Sequence, residues 1–431
     1  MYLKKAQIKN IRSIVNFEIN FENPAGWHVL IGDNGAGKST IVRSIALVLV
    51  GHEQSQALRA NWDDWLSQQK EKGEIRLNGE LQFHPDHMLL KQRMHYEFEK
   101  EFEKIGSFKK NDGTVFFDVE SSHSAPPDER WFSSAYGPYR RFGGGNFELQ
   151  KIFENPSLAK LAAHLSVFSE DVALTEATGW LVGLFNTSTD PNFPEEGLNG
   201  LSQLEGIKQL INSERDSESF LPNNTKLESV NSKGVFLRDG KGMTISINQM
   251  SDGYRSILSM TFELIRQLVR AYGAEPVFEN IKQDDMVIDL PGVVLVDEID
   301  AHLHPTWQTR IGEWFTKYFP KLQFIVTTHS PLVCRAAENG SIWRLAAPGS
   351  DNVSGEIVGS DRERLIYGNV LDAFGTEVFG KNVTISEESV KKQEDMVKLS
   401  KKKMLDDISP EDNKKLADLK KVFTTDASIE L

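Results

Sequence analysis

A glycine-rich segment near the start of the chain has the composition and spacing of a phosphate-binding loop. Residues 32–40 read GDNGAGKST and match the pattern G-x-x-x-x-G-K-[ST] at every fixed position. Glycines let backbone N–H groups turn inward around phosphate oxygens, and the N-terminus of a following helix adds partial positive charge. Lys38 would reach the β and γ phosphates of a nucleotide, and the Ser39 hydroxyl would hold Mg²⁺. The residues predicted to contact nucleotide here are Asn34, Gly35, Gly37, Lys38, Ser39 and Thr40.

Two carboxylates stand at the end of a second apolar segment. Residues 293–298 read VVLVDE, which is typical of a strand that is buried on both faces. Asp297 would complete the Mg²⁺ shell, and Glu298 would orient or deprotonate the water that attacks the terminal phosphate. Acidic residues are also common at strand ends, so this interpretation depends on the phosphate-binding loop.

A histidine and a helix start are the remaining candidate site residues. Residues 323–331 read QFIVTTHSP, and His329 ends this third apolar strand, where it can bond a γ-phosphate oxygen and the attacking water. Residues 251–256 read SDGYRS and open a helix with one apolar face. A small polar residue and a glycine at a helix N-terminus can bind an anion, which makes Ser251 and Gly253 candidate nucleotide contacts. An ordinary capped helix is the alternative.

The segments around these residues have the pattern of an α/β fold. Residues 27–31 are nearly all apolar and residues 38–50 form an amphipathic run, so strand, loop and helix follow one another across the glycine-rich segment. Residues 2–21 alternate between apolar and polar side chains in two runs, which predicts a layer of antiparallel strands. Strand signals return at 234–238 and 243–247 and begin the second half of the core.

The same patterns divide the chain into five parts. The expected parts are an α/β core with the phosphate-binding loop (1–50 and 232–347), an inserted mixed segment (51–150), a helical lid (151–231), a connecting segment (348–384) and a helical extension (385–431). The predicted fold class is therefore α/β, with an N-terminal antiparallel β-layer, an inserted helical lid and a helical C-terminal extension.

Charge and composition exclude several functions. The net charge of −13 argues against sequence-independent binding of nucleic acid over the whole surface, which requires clustered Lys and Arg, although a local basic patch is allowed. Cys334 is the only cysteine, so neither an internal disulfide nor a thiolate metal cluster can form. The longest apolar stretch, residues 41–50, is shorter than the roughly 20 residues that cross a bilayer, and no secretory signal pattern is present. These features predict a cytoplasmic protein with no membrane partner.

One aromatic and basic segment has more than one interpretation. Residues 135–142 read AYGPYRRF, with two arginines among aromatic side chains next to a glycine run. Such a segment can contact nucleic acid or report on nucleotide through the lid. It can equally be a turn in which the aromatic rings pack.

Taken in chain order, four segments resemble the motifs of the ABC ATPases in their SMC/RecF/OLD branch. GDNGAGKST looks like the P-loop, SDGYRS like the signature, VLVDEIDAHLHP like the Walker B segment with its D-loop, and TTHSP like the switch-histidine segment. The residues HLHP at 302–305 are typical of that branch and not of transporter ATPases. The resemblance covers residues 1–50 and 245–335 and implies a P-loop head that binds ATP and Mg²⁺. It also implies ATP hydrolysis, with Glu298, His329 and Lys38 as the catalytic residues.

The resemblance implies an assembly as well. In these ATPases the signature of one subunit completes the nucleotide site of another, so Ser251 and Gly253 should act in trans, in a homodimer or a higher even-numbered oligomer. His302 and His304 could be taken for metal ligands. Because no third ligand accompanies them, they are better interpreted as loop-packing residues.

Three functions stay open within that branch. The helical segment is short and lacks the sustained heptads of SMC coiled coils. The chain looks most like the stand-alone ATPase subunits of bacterial anti-phage systems, such as the Septu and retron-associated ATPases, which implies an ATPase that regulates or scaffolds a separate nuclease. The alternatives are a RecF-like repair ATPase that acts directly on DNA and an OLD-type ATPase with its own nuclease. OLD nucleases carry an early Glu and a later Asp-x-Asp after the ATPase, and after Ser330 only Asp361 and Glu363 come near that pattern, in a charged run that is typical of a solvated surface.

The last segment, residues 385–431, is rich in charged residues and has few apolar ones. Ser409 and Pro410 predict the start of a helix. Its apolar residues form a thin stripe, Leu416, Leu419, Val422 and Phe423. We expect this helix to lie in a groove of a partner protein, with folding back onto its own domain as the alternative.

Overall fold

Strands and helices alternate along most of the chain, as an α/β fold requires. The computed structural model describes residues 1–58, 64–67, 70, 72–80, 95–103, 131–144, 146–215, 218–282, 286–346, 349, 353–369, 387–404 and 409–423. In chain order the strands and α-helices are β1 (Tyr2–Ile11), β2 (Ile14–Asn20), β3 (Gly26–Gly32), α1 (Lys38–Val50), α2 (His52–Ser55), β4 (Lys72–Glu80), β5 (His95–Glu103), β6 (Ser133–Tyr136), α3 (Phe147–Glu154), α4 (Ala159–Phe168), α5 (Thr175–Ser188), α6 (Pro194–Asn212), β7 (Glu214–Arg215), β8 (Glu218–Ser219), β9 (Lys226–Asn231), β10 (Gly234–Arg238), β11 (Thr244–Ser246), α7 (Asp252–Tyr272), α8 (Ala274–Lys282), β12 (Gly292–Val296), α9 (Pro305–Tyr318), β13 (Leu322–Thr328), β14 (Ser341–Leu345), β15 (Gly355–Glu356), α10 (Gly359–Tyr367), α11 (Glu387–Met404) and α12 (Pro410–Phe423).

The strands that lead into the predicted motifs lie side by side in a six-stranded sheet. Its order is β15-β14-β3-β13-β12-β6, and neighbouring strands are parallel except for β14 and β15. Helix α1 contacts β3, β12 and β13, and α9 contacts β3, so these strands are covered and their apolar side chains are buried. Because parallel strands end at the same edge of a sheet, the segments that follow β3, β12 and β13 meet there.

A four-stranded antiparallel sheet, in the order β2-β1-β4-β5, is the N-terminal layer. Along β1, Ala6 and Ile8 are buried whereas Lys9 is exposed, which is the alternation of a sheet with one face toward the core. One apolar cluster joins side chains of this sheet, of α1 and of the central sheet. Helix α1 is therefore buried nearly all round and not only along one stripe.

Residues 51–150, which the sequence suggested to be an insertion, contribute strands to both sheets. Strand β4 pairs with β1, and β6 pairs with β12 at the edge of the central sheet. Alternation indicates a strand but does not say which strand it pairs with, because the partner is distant in the sequence.

Helices α3 to α6 occupy the part of the chain where a lid is predicted. Helix α5 packs against α6 and against α7. The end of the predicted lid is a strand, because β9 pairs with β10 in a small antiparallel sheet of order β11-β10-β9.

Contacts divide the chain into two units, residues 1–367 and residues 368–431. The N-terminal antiparallel layer, the central sheet and the helices at the C-terminus confirm the predicted α/β fold class. The limits at 347 and 385 that the sequence suggests for the connecting segment stay predictions. None of the described helices combines the length and the apolar character that crossing a membrane requires.

The described residues of the second unit form two helices that pack against each other. An ion pair between Lys415 Nζ and Asp395 Oδ2, 3.0 Å apart, joins α12 to α11. At the start of α12 the Asp412 N–H donates to Ser409 Oγ at 3.1 Å, as the sequence predicts for a capping serine.

Candidate nucleotide site

The loop between β3 and α1 owes its shape to two glycines. Gly35 and Gly37 have φ of +79° and +93°, in the left-handed region that disfavours side chains. A Cβ on Gly37 would also lie 2.4 Å from Cδ1 of Ile14, the first residue of β2, whereas one on Gly35 would meet nothing within 4 Å. Asn34 and Gly35 are exposed at the tip of this loop. The loop is therefore wrapped by the N-terminal layer on one side and open on the other.

Lys38 is the first residue of α1, and its side chain turns back over the loop. Its Nζ donates to the carbonyl oxygens of Gly32 at 2.7 Å and Asp33 at 3.0 Å. Burial lowers the pKa of Lys38, and the carboxylates of Glu298, Asp297, Asp300 and Asp33 oppose that shift. The lysine therefore lies close enough to the acidic residues that follow β12 to be affected by their charges.

Ser39 and Asp297 come together although they are 258 residues apart in the sequence. The Ser39 hydroxyl donates to Asp297 Oδ1 at 3.0 Å, and the Thr327 hydroxyl donates to the same oxygen at 2.6 Å. Asp297 is almost completely buried, and its N–H donates to the Tyr136 carbonyl at 2.8 Å. A hydroxyl and a carboxylate at one point suit Mg²⁺, which prefers hard oxygen ligands. These residues therefore fit the ion that the motifs imply.

Glu298 has an unusual backbone conformation. Its φ is +48°, and its N–H donates to Thr327 Oγ1 at 2.7 Å. A residue other than glycine in the left-handed region costs on the order of 1–3 kcal/mol and persists only where its surroundings hold it. Thr327 bonds both Asp297 and Glu298 and so sets their relative positions. Thr327 was not predicted from the sequence, although a buried hydroxyl in a mostly apolar strand is a signal that could have indicated it.

His329 follows β13 and is half-buried beside the same group. The backbone N–H of His329 donates to Asp300 Oδ2 at 3.4 Å, and the Thr328 hydroxyl donates to Asp300 Oδ1 at 2.6 Å. Burial and the positive charge of Lys38 lower the pKa of His329, and Asp300, Glu298 and Asp33 oppose the shift. The ring is therefore neutral at pH 7, with one nitrogen that donates and one that accepts.

The predicted signature residues lie at the start of α7. Ser251 precedes α7, and its side chain makes no capping hydrogen bond. Gly253 lies against the loop after β12, where an added Cβ would be 3.0 Å from the His302 carbonyl oxygen. In its own protomer, then, the start of α7 adjoins the 298–304 loop, while Lys38, Ser39, Asp297, Glu298 and His329 gather at the ends of the strands.

His304 has a structural role. Its Nδ1 accepts from the Thr306 N–H at 3.3 Å and so caps the start of α9. Among the residues that the structure describes, no group of three or more His, Cys, Asp or Glu side chains is placed to hold a metal ion. The capping contact gives His304 a local structural role, whereas both histidines are exposed and a packing role for His302 stays a prediction.

The aromatic and basic segment 135–142 is mostly buried. Phe142 packs against Phe262 of α7 with ring centroids 6.4 Å apart, and Arg140 is only 4% exposed. Tyr139 is exposed. Arg140 therefore cannot contact nucleic acid in this conformation, and the aromatic packing that the sequence allowed for this segment is present.

Removing the charge of Lys38 is expected to raise the pKa of His329. The variant Lys38→Met keeps a long side chain but lacks the cation that disfavours the protonated ring. In the wild type the depressed pKa means that His329 gains its proton only as the pH falls below the usual histidine value of about 6.5. NMR titration of the histidine ring protons, assigned with His329→Gln, measures the shift. The exposed Lys226→Met on β9 should leave it unchanged, and an unaltered pKa in Lys38→Met would exclude Lys38 as its cause.

Two curated relatives match most of the chain. Septu protein PtuA of Bacillus mycoides (strain KBAB4) is 25% identical over 346 residues, which are 79% of this chain and 40% of the relative. The Retron Ec83 probable ATPase of Escherichia coli is 24% identical over 397 residues, which are 78% of this chain and 70% of the relative. The predicted resemblance to Septu and retron ATPases is thus confirmed, and the chain spans 40% of the length of the Septu relative.

Solved structures and one family model also match. The Smc head bound to the C-winged helix domain of ScpA superposes with a TM-score of 0.46 at 16% identity, over 83% of this chain and 97% of that one. The family model described as "AAA domain, putative AbiEii toxin, Type IV TA system" matches residues 28–335, which include the P-loop, α7, β12 and β13. This match extends over more than half of the sequence and includes every residue of the candidate site, and the chain therefore belongs to the AAA domain family of putative AbiEii toxins of type IV toxin–antitoxin systems.

Proposed function

We propose that the protein binds and hydrolyses ATP with Mg²⁺ at the ends of β3, β12 and β13. The observation that supports this most strongly is the hydrogen-bonded group of Ser39, Asp297 and Thr327 beside Lys38. Bound Mg²⁺ would polarise the phosphoryl group and neutralise charge on its oxygens. Lys38 would exchange its loop carbonyls for phosphate oxygens, Glu298 would orient and deprotonate the attacking water, and neutral His329 would hydrogen-bond that water or the γ-phosphate.

Phosphate release from ATP, measured with and without Mg²⁺, tests this proposal. We expect multiple turnovers that require the metal, together with saturable ATP binding. A purified, folded protein that neither binds nor hydrolyses ATP would contradict the proposal. Binding without turnover would restrict it to nucleotide binding.

We further propose that Ser251 and Gly253 complete the nucleotide site of a second protomer. The Ser251 hydroxyl, which makes no capping hydrogen bond, and the N–H groups at the start of α7 supply anion-binding groups. A head-to-tail pair places such groups opposite the phosphate-binding loop of the partner. The assembly is then a homodimer or a higher even-numbered oligomer.

Mixing Lys38→Ala protomers with Ser251→Arg protomers is expected to restore activity that neither has alone. Each mixed dimer contains one site built from an intact P-loop and an intact signature. Random mixing in equal amounts makes about half of the dimers mixed, with one good site of two, so about a quarter of the wild-type rate should return. Differently tagged chains establish that mixing occurred, and no recovery in a mixed sample would argue against a shared site.

We also propose that this ATPase works in anti-phage defence and regulates or scaffolds a separate nuclease. The names of its relatives, a Septu protein and a retron ATPase, support this. Asp361 forms a 3.7 Å ion pair with Arg364 on the exposed surface of α10, as an ordinary solvated helix does. The second unit is the proposed docking element, since its ion-paired helices form a unit of their own.

Deleting residues 368–431 is expected to abolish co-purification with the nuclease of a neighbouring gene. The whole unit is removed because α11 and α12 pack together, and deleting one would expose the other. ATP affinity and self-assembly should stay within about threefold of the full chain, which is the control. Retained co-purification would exclude this unit as the docking element, and lost ATP binding would show that it supports the ATPase fold.

A further inference from the structure

Arg140 is a buried arginine whose guanidinium joins three segments of the chain. Its Nη1 donates to the carbonyl oxygens of Gly137 at 2.9 Å and Asp297 at 3.0 Å. Its Nη2 donates to the carbonyl oxygens of Glu298 at 3.0 Å and Ile299 at 3.3 Å. Its Nε donates to the Ser256 hydroxyl of α7 at 3.0 Å.

These five hydrogen bonds use all five N–H donors of the side chain. Every acceptor is a carbonyl or a hydroxyl oxygen, so the charge is held in place by dipoles and not by a contacting carboxylate. Burial lowers the pKa of Arg140 to about 10, and the more distant Asp300, Asp297 and Glu298 oppose that shift. The guanidinium is therefore charged at neutral pH. Burying this charge is energetically unfavourable unless hydrogen bonds compensate for the lost hydration.

Three of the acceptors are consecutive carbonyls that begin the loop after β12. The middle one belongs to Glu298, whose φ of +48° requires support from its surroundings. Arg140 bonds the carbonyl side of this residue while Thr327 bonds its N–H. The guanidinium thus holds the backbone that sets the direction of the Glu298 side chain, and it does not contact the reacting atoms.

The fifth acceptor connects this loop to the start of α7. Ser256 lies one turn after Gly253, which itself packs against the His302 carbonyl. Tyr254 meets Trp307 of α9 edge to face, with ring centroids 4.9 Å apart. The first turn of α7 and the 297–303 segment of one protomer therefore form a contiguous packed group, with Arg140 at its centre.

We propose that Arg140 is a positioning residue that holds the Glu298 backbone and couples it to the first turn of α7. This inference rests on the proposed function, in which α7 of one protomer contacts nucleotide that is bound to a second protomer. Arg140 would then transmit that contact to Glu298 of its own protomer. Each nucleotide site would then sense the other through this side chain.

Hydrogen–deuterium exchange of the nucleotide-free protein tests the structural part without any turnover. In Arg140→Lys the charge remains but one nitrogen cannot span the three carbonyls and Ser256. Amides of residues 297–303 and of the first turn of α7 should exchange about tenfold faster or more. Arg141→Lys is the matched control, since its buried Nε has no hydrogen-bond partner among the described residues, and it should exchange like the wild type. Unchanged exchange in Arg140→Lys would overturn the proposal.

Kinetics test the coupling. Arg140→Lys should bind ATP within about threefold of the wild type and hydrolyse it roughly tenfold or more slowly, a loss in kcat and not in affinity. Ser256→Ala removes only the bond to α7, so it should loosen the first turn of α7, leave residues 297–303 protected and lower the rate less than Arg140→Lys does. If Arg140→Lys fails to fold, the exchange pattern of Ser256→Ala decides the coupling. A wild type that does not hydrolyse ATP would defeat the proposed function, whereas wild-type turnover with unaffected variants would defeat this inference alone.

Discussion

Glu298→Gln is expected to bind ATP and to hydrolyse it roughly a hundredfold or more slowly than the wild type. Glutamine keeps the length and volume of the side chain but cannot accept a proton from water. It also keeps the backbone bonds that surround Glu298, from Thr327 and Arg140, so the left-handed conformation and the position of the loop should persist. The defect should therefore lie in kcat, and ATP should accumulate on the protein.

Single-turnover hydrolysis of labelled ATP, together with ATP affinity at equilibrium, measures this effect. Glu338→Gln is the matched control, because the same change is made at an exposed residue whose carboxylate accepts a hydrogen bond from the Tyr367 hydroxyl. The control should hydrolyse at the wild-type rate. Hydrolysis at the wild-type rate in Glu298→Gln would show that another group activates the water.

Lys38→Ala is expected to weaken ATP binding by about a hundredfold or more. A hydrogen bond to a charged group contributes about 1.5–3 kcal/mol, and the lysine has donors for both the β and the γ phosphate. The folded state should tolerate the change. Burial disfavours the charged form of Lys38, so removing this cation relieves an unfavourable desolvation of charge. This gain opposes the loss of the hydrogen bonds that Lys38 donates to the Gly32 and Asp33 carbonyls.

Isothermal titration with ATP and Mg²⁺ measures the loss, and thermal unfolding checks that the variant is folded. The exposed Lys226→Ala should bind ATP like the wild type. Unchanged ATP affinity in a folded Lys38→Ala protein would exclude the β3–α1 loop as the nucleotide site.

Features that depend on neighbouring residues in the chain could be predicted before the fold was known. The strand–loop–helix around GDNGAGKST, the buried strands before Asp297 and His329, and the helix after Ser409 all occur where their patterns indicate. Each pattern is contained in about ten residues, within which backbone conformation and burial are strongly constrained by side-chain type. The glycines of the loop that have left-handed backbone conformations could likewise be predicted from the local sequence.

Pairings between distant segments were not predictable from those patterns. Strands β4 and β6 have ordinary strand sequences, and nothing local says that one joins the N-terminal layer and the other the central sheet. The sequence left the location of Arg140 open, and charged side chains seldom lie fully inside a protein. It is buried because five oxygens from three segments converge on it, and four of these belong to the backbone, whose positions the sequence does not display.

The sequence by itself therefore determined the types of group at the candidate site: the loop glycines, a lysine, a hydroxyl, two carboxylates and a histidine. Only the tertiary structure decided their arrangement, which includes the bond between Ser39 and Asp297, the placement of Thr327 between Asp297 and Glu298, and the left-handed backbone of Glu298. The physical reason is that a motif specifies chemistry through its own residues, whereas geometry between motifs depends on how parallel strands register and which helices cover them.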